Sequence, residues 1–161
     1  MATSRITVLI VAGLVIITKV NLRRSDGPGE ASAIGSLRAI ASAQVSYASM
    51  NGGYAASLTA LAALCPRQSR GFLPPNLASD PAITNGYEIR VQTERGALPG
   101  PADCNGVPTS TVYYATSTPV PGTPTAPRAF ATDQSGVIWY DTSGSPLSLP
   151  FKETGTIKRL Q

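Results

Sequence analysis

The feature that most constrains this chain is an apolar run near its N-terminus. Residues 6–18 read ITVLIVAGLVIIT and are flanked by Arg5 and Lys19. As an α-helix the run would rise roughly 20 Å, whereas the hydrocarbon core of a bilayer is about 30 Å thick. The run is therefore short for a membrane span unless it tilts or the bilayer thins around it.

The length of this run also fits the apolar part of a secretory signal, with Arg5 as its charged flank. A cleaved signal would end in a small-residue motif, but Lys19 and Asn21 come next and the first Ala-Ser-Ala occurs only at residues 31–33. We therefore expect the segment to stay in the working protein, as a membrane anchor or an assembly helix.

The remainder of the chain has the composition of one exported domain. The protein has 161 residues, of which 42% are hydrophobic and 14% charged, with a net charge of +4. That length accommodates one compact domain and an appendage. We predict a hydrophobic helix at residues 1–25 and a globular head at 26–161. The basic residues are scattered and form no stripe, so nucleic-acid binding is expected to be absent or non-specific.

The chain contains two cysteines, Cys65 and Cys104, and no histidine. A metal site would need more soft or imidazole ligands, whereas two cysteines in an exported head suggest one disulfide. Closing a loop of about 40 residues would stabilise the fold by roughly 4 kcal/mol. Two reduced, buried thiols are the alternative. We predict no metal and no cofactor.

A helix-breaking sequence, Gly27, Pro28 and Gly29, follows the apolar segment. Proline lacks a backbone donor, and glycine weakens a helix interior by roughly 1 kcal/mol. We expect the N-terminal helix to be interrupted near residues 21–29. Asp26 or Gly27 could then cap a new helix whose first residue is Pro28, with Glu30 in its first turn.

An amphipathic helix is predicted over residues 30–50. Its other face consists mostly of Ala and Ser, so it can either meet water or let another helix approach closely. Residues 51–53 (Asn-Gly-Gly) end the helix, and a second short helix is predicted at 57–64. The predicted apolar stripe consists of Ile34, Leu37, Ala41, Val45 and Ala48, with Ile40 and Tyr47 beside it.

The second half of the chain reads as antiparallel β-structure. Residues 66–85 read as irregular loop, 117–127 as a Pro/Thr-rich linker, and the part after Gly144 shows no period. A turn at 133–136 is expected to close a hairpin. The predicted fold is α+β, with a long, interrupted N-terminal helix packed on a small antiparallel sheet. Strands are predicted at 87–92, 111–116, 129–132 and 137–140.

Catalytic motifs are missing from the sequence. Without histidine the commonest general base is absent, and no nucleophile elbow, phosphate-binding loop or metal motif occurs. We therefore predict that the chain is not an enzyme.

This order of elements resembles the type IV pilin and pseudopilin family. Residues 21–25 are similar to the polar turn after the family's hydrophobic half-helix, and 33–61 to its alanine-rich helix, Gly-Tyr turn and second helix. Residues 130–141 are similar to its closing hairpin. A mature pilin typically begins Phe-Thr-Leu-Ile-Glu, whereas Thr3 falls near the glutamate position here and the fifth residue is Arg5.

The resemblance implies a structural subunit of an extracellular, cell-surface filament. Such a subunit is held in the inner membrane and handled by pilus assembly machinery before it polymerises with identical copies. The alternatives are a pseudopilin of a type II secretion system and a membrane-tethered monomeric adhesion head. The residues expected to pack in the filament core are Ile6, Val8, Leu9, Ile10, Val11, Gly13, Leu14, Val15, Ile16 and Ile17.

Overall fold

The head is a mixed α+β structure in which one helix packs on an antiparallel sheet. The computed structural model describes residues 28–122 and 128–160. Its helices are α1 (Pro28–Asn51), α2 (Leu58–Ala62) and a short 3-10 helix (Pro75–Leu77). Its strands are β1 (Ala82–Thr84), β2 (Tyr87–Gln92), β3 (Pro99–Ala102), β4 (Pro108–Ser110), β5 (Tyr114–Pro119), β6 (Ala129–Asp133), β7 (Trp139–Asp141) and β8 (Ile157–Arg159).

Six strands form the main sheet in the order β1-β2-β5-β6-β7-β8, and every neighbouring pair is antiparallel. Strands β3 and β4 form a separate two-stranded hairpin. Helix α1 lies over β2, β5 and β6. The predicted combination of an N-terminal helix with an antiparallel sheet is confirmed.

The buried face of α1 differs from the predicted apolar stripe. Val45 is 62% exposed, and Ile34, Ala41 and Ala48 are only half-buried. Glu30, Ser36 and Gln44 are polar residues of the buried face, and Glu30 and Gln44 each have a partner distant in sequence. The buried positions are Glu30, Ala33, Ser36, Leu37, Ile40, Ala43, Gln44 and Tyr47.

Gln44 shows how a polar side chain fits this face. Its amide donates to the Ala55 carbonyl at 2.8 Å and accepts from the Ala55 N–H at 2.9 Å. Both hydrogen bonds are buried, so the side chain is satisfied and fixes the turn after α1. That turn begins at Gly52, whose φ of 77° is the left-handed conformation expected after a helix.

Two predicted strands match the structure, while others are displaced or missed. Residues 87–92 form β2 and 129–132 lie within β6, as predicted. The strand predicted at 111–116 is observed as β5 at 114–119. Residues 117–119 belong to the strand because they pair with β2, and Ser117 also pairs with β6. The linker predicted at 117–127 is therefore wrong for its first three residues. The strand predicted at 137–140 begins two residues later, as β7.

The predicted second helix is shorter than expected, with Ser57 as its N-cap and Ala62 as its last residue. The loop predicted at 66–85 contains β1 and a 3-10 helix, and the chain after Gly144 contains β8. Strands β3 and β4 were not predicted because both contain proline, a residue that is depleted in strands. The predicted hairpin turn at 133–136 is confirmed, with the Gly136 N–H donating to the Asp133 carbonyl at 3.0 Å.

The face of the sheet opposite α1 carries a second, smaller core. Ala129, Ala131 and Trp139 are buried there by Leu147, and the half-buried Phe151 and Ile157 pack against them. The C-terminal part of the chain thus covers this face and returns as the edge strand β8.

Candidate assembly site

The residues predicted to assemble a filament, at positions 6–17, lie outside the described ranges, as does Gly27 of the predicted helix break. Pro28 and Gly29 are the first two residues of α1. Proline is tolerated at this position because the first N–H groups of a helix form no intrahelical hydrogen bond. Within residues 28–122 and 128–160, no helix is both long enough and apolar enough to cross a membrane.

The outer face of α1 is the described surface closest in sequence to the predicted assembly segment. It is mostly composed of small side chains, with two large apolar residues, Val45 and Met50, that are 62% and 59% exposed. A smooth helix face allows the backbone of a second helix to approach closely. The exposed residues of this outer face are Ala31, Gly35, Arg38, Ser42, Val45, Ser46, Ser49 and Met50.

Gly35 lies within this outer face and has no evident role inside the head. A Cβ added to Gly35 would meet no atom within 4 Å. Glycine in a helix interior destabilises by roughly 0.5–1 kcal/mol relative to alanine. The described fold therefore gains nothing from glycine at this position.

An ion pair fastens the first turn of α1 to the sheet. Glu30 is 2% exposed, and the Nε atom of Arg128 donates to its two carboxylate oxygens at 2.9 and 3.1 Å. Nη2 of Arg128 also donates to Oε2. The guanidinium lies 5.8 Å from the ring centroid of Phe130 and 5.5 Å from that of Tyr140. Such bidentate, stacked geometry is specific to arginine and fixes where α1 begins relative to β6.

At the other end of α1, the predicted disulfide between Cys65 and Cys104 is confirmed, with a Cα–Cα distance of 5.5 Å. The backbone N–H of Cys104 donates to the side-chain oxygen of Asn51 at 3.2 Å. The hydroxyl of Tyr47 donates to Asp103 at 2.6 Å. The two hydrogen bonds hold the β3–β4 hairpin against the C-terminal end of α1, and the disulfide joins the same hairpin to the segment that follows α2.

The electrostatics of Tyr47 and Asp103 support this contact. Burial, followed by the hydrogen bond and the charge of Asp103, raises the pKa of Tyr47 above its usual value. Burial acts to raise the pKa of Asp103, but hydrogen bonds from Tyr47 and from the N–H groups of Val107 and Asn105 outweigh it and lower that pKa. Tyr47 thus remains a donor and Asp103 an ionised acceptor at neutral pH.

The lowered pKa of Asp103 predicts an acid-sensitive head. Its carboxylate stabilises the fold above the unfolded-state pKa of about 3.9, and that contribution is lost as the pH falls through the lower folded-state pKa. We expect the free energy of unfolding to decline below about pH 4. In Tyr47→Phe, which lacks one donor, the decline should be shallower. Urea titrations between pH 2 and 7 measure this, and identical slopes for the two proteins would contradict it.

Among the described residues, no three His, Cys, Asp or Glu side chains lie together as a metal site. In the sequence, Arg128 is one of several scattered basic residues, and Asp103 is one acidic residue in a loop. A glutamate in the first turn of a helix was the one local signal of the ion pair.

Comparisons with protein-family models, curated proteins and solved structures found no match to this chain.

Proposed function

We propose that this chain is the structural subunit of an extracellular filament of the type IV pilus kind, with a pilin-like head. The observation that carries the proposal is the outer face of α1, where small side chains predominate and a Cβ added to Gly35 would meet no atom of the described residues within 4 Å. This face follows an apolar N-terminal segment in the sequence. Together they provide two consecutive surfaces for packing against copies of the same chain.

The physical logic of assembly begins with the apolar segment. Residues 6–18 bury their side chains either in lipid or against identical segments, so transfer from the membrane into a polymer exchanges one apolar environment for another. A contact between different faces of identical subunits does not close on itself and propagates as a fibre. The ion pair between Glu30 and Arg128 fixes the start of α1 on the sheet, so every copy would present the same outer face of α1.

Electron microscopy of material sheared from producing cells tests the proposal. We expect fibres of uniform width whose subunit contains the disulfide and retains residues 6–18, which intact-mass measurement of the purified fibres would establish. Fibres absent from the surface but formed within the envelope would favour the secretion pseudopilin instead. A monomeric protein in both places would refute assembly.

Substitution of Gly35 separates head stability from assembly. We expect Gly35→Ala to raise the free energy of unfolding by about 0.5–1 kcal/mol, because alanine favours the helix and meets no neighbour. Gly35→Leu should keep a folded head but reduce filament yield, because the larger side chain blocks close approach. Ser42→Ala on the same face is the matched control and should assemble normally. Unchanged yield for Gly35→Leu would show that this face is not used.

A further inference from the structure

Strands β7 and β8 extend the main sheet beyond the strands that α1 covers. Tyr140 of β7 and Lys158 of β8 are register partners, and Tyr140 is also the partner of the core residue Phe130. Partners in an antiparallel pair project to the same face, so Tyr140 and Lys158 lie on the helix side. Tyr140 is half-buried and Lys158 is exposed. The result is an open groove of about 780 Å³ beside the helix.

Charged residues that line the groove are Arg128, Lys158, Arg159 and the single acidic residue Glu153. Arg128 is already paired with Glu30. Arg159 is the register partner of Trp139, and its guanidinium lies 5.1 Å from the Trp139 ring centroid, on the opposite face of the sheet from Tyr140. It also lies 3.4 Å from Glu153, with both side chains about 60% exposed, so this ion pair contributes little stability. Within residues 28–122 and 128–160, Lys158 has no ion-pair partner.

The remaining wall combines apolar surface with hydroxyl groups. Val137, Tyr140 and Leu160 supply apolar area, while Tyr140 and Thr154 carry hydroxyls. The groove volume lies within the range of about 300–1,000 Å³ that is common for small-molecule sites, and its lining is more polar than is usual there. A complementary ligand carries a negative charge, hydroxyl groups and a ring with an apolar face.

We propose that this groove binds a carboxylated oligosaccharide, with a sugar carboxylate at Lys158 and the sugar ring against Tyr140. Lys158 would form a charge-assisted hydrogen bond to the carboxylate, and the C–H face of the sugar would pack on the aromatic ring. A nucleic acid would need a longer basic track with several stacking rings. A free phosphate is usually held by convergent backbone N–H groups. On the helix side of the sheet the groove has one ring, two hydroxyls and two cationic side chains, Arg128 and Lys158.

Calorimetric titration of the full-length protein in detergent with tetragalacturonate tests the site without requiring a filament. We expect saturable binding to the wild type and about tenfold weaker binding to Lys158→Gln, because one charge-assisted hydrogen bond is lost. Glu153→Gln should bind more tightly, because it removes the competing carboxylate. Lys152→Gln changes the same charge at an exposed neighbour outside the groove lining and should bind like the wild type.

Fully methyl-esterified tetragalacturonate is the matched ligand control, since it retains the rings but lacks the charge. It should not bind detectably. The proposal is overturned if no saturable uronate binding occurs, if Lys158→Gln binds as tightly as the wild type, or if the ester binds equally well. Displacement of the uronate by inorganic phosphate or a single-stranded oligonucleotide at equal or lower concentration would also overturn it. Failure of filament formation would leave these outcomes unaffected.

Discussion

A charged residue at Val11 should abolish filaments while leaving the head folded. Val11 lies within the apolar run at residues 6–18. A charge at the centre of a membrane helix costs about 2.5–3.5 kcal/mol on insertion scales, and a dry filament core would repeat the charge in every subunit. We expect Val11→Glu to reduce fibres in sheared material to background. Quantitative microscopy and immunoblotting of the sheared fraction measure the change.

Two controls make the result specific to assembly. Val11→Leu keeps the position apolar and should form fibres at wild-type levels. For Val11→Glu, membrane fractionation must show that the subunit accumulates, and a non-reducing gel must show the disulfide between Cys65 and Cys104, which the folded head contains. Fibres of normal abundance from Val11→Glu would refute a filament core built from this segment.

Removal of Arg128 should be among the most destabilising single changes in the head. Arg128→Met leaves the carboxylate of Glu30 buried without its partner. Breaking one side of a buried ion pair typically costs about 3–5 kcal/mol. Because the Arg128 side chain is 30% exposed, we expect about 3 kcal/mol. Urea denaturation of the full-length protein in detergent, followed by tryptophan fluorescence, measures this.

A double variant and an exposed pair provide the controls for Arg128→Met. Glu30→Leu combined with Arg128→Met removes both charges and should recover most of the lost stability, because apolar replacement of a buried pair is often neutral. Arg90→Met breaks an exposed pair with Glu88 at 2.8 Å and should cost far less stability than Arg128→Met, because water screens exposed charges. Equal losses for Arg128→Met and Arg90→Met would show that burial of Glu30 does not matter.

Helix α1 shows which features of a helix can be predicted from the local sequence pattern and which cannot. Its extent follows from the apolar spacing and from the glycines after Asn51. Its buried face does not, because Gln44 is satisfied by Ala55 and Glu30 by Arg128, which is 98 residues away. Apolar spacing cannot rank polar residues whose partners are distant in sequence. Val45 was consequently expected inside and lies outside.

The edge of the sheet shows the same limit for strands. Strand β2 alternates between buried and more exposed residues, and its sequence predicts it. Strand β8 has the sequence Ile-Lys-Arg and is extended because it pairs with β7. Strand β7 offers an edge for this pairing only after the hairpin of β6 and β7 has formed. The cationic groove depends on this pairing, because it brings Lys158 beside Tyr140. No local motif marks either residue as part of a site.

The sequence by itself determined the apolar N-terminal segment, the extent of α1, the hairpin turn at 133–136 and the single available cysteine pairing. The first three depend on residues that are close in the chain, and the cysteine pairing follows because the chain has only two cysteines. The tertiary structure decided which face of α1 is exposed, that Glu30 is buried with Arg128, and that a groove opens beside α1. These features depend on contacts between segments far apart in sequence, whose geometry arises only when helix and sheet pack together.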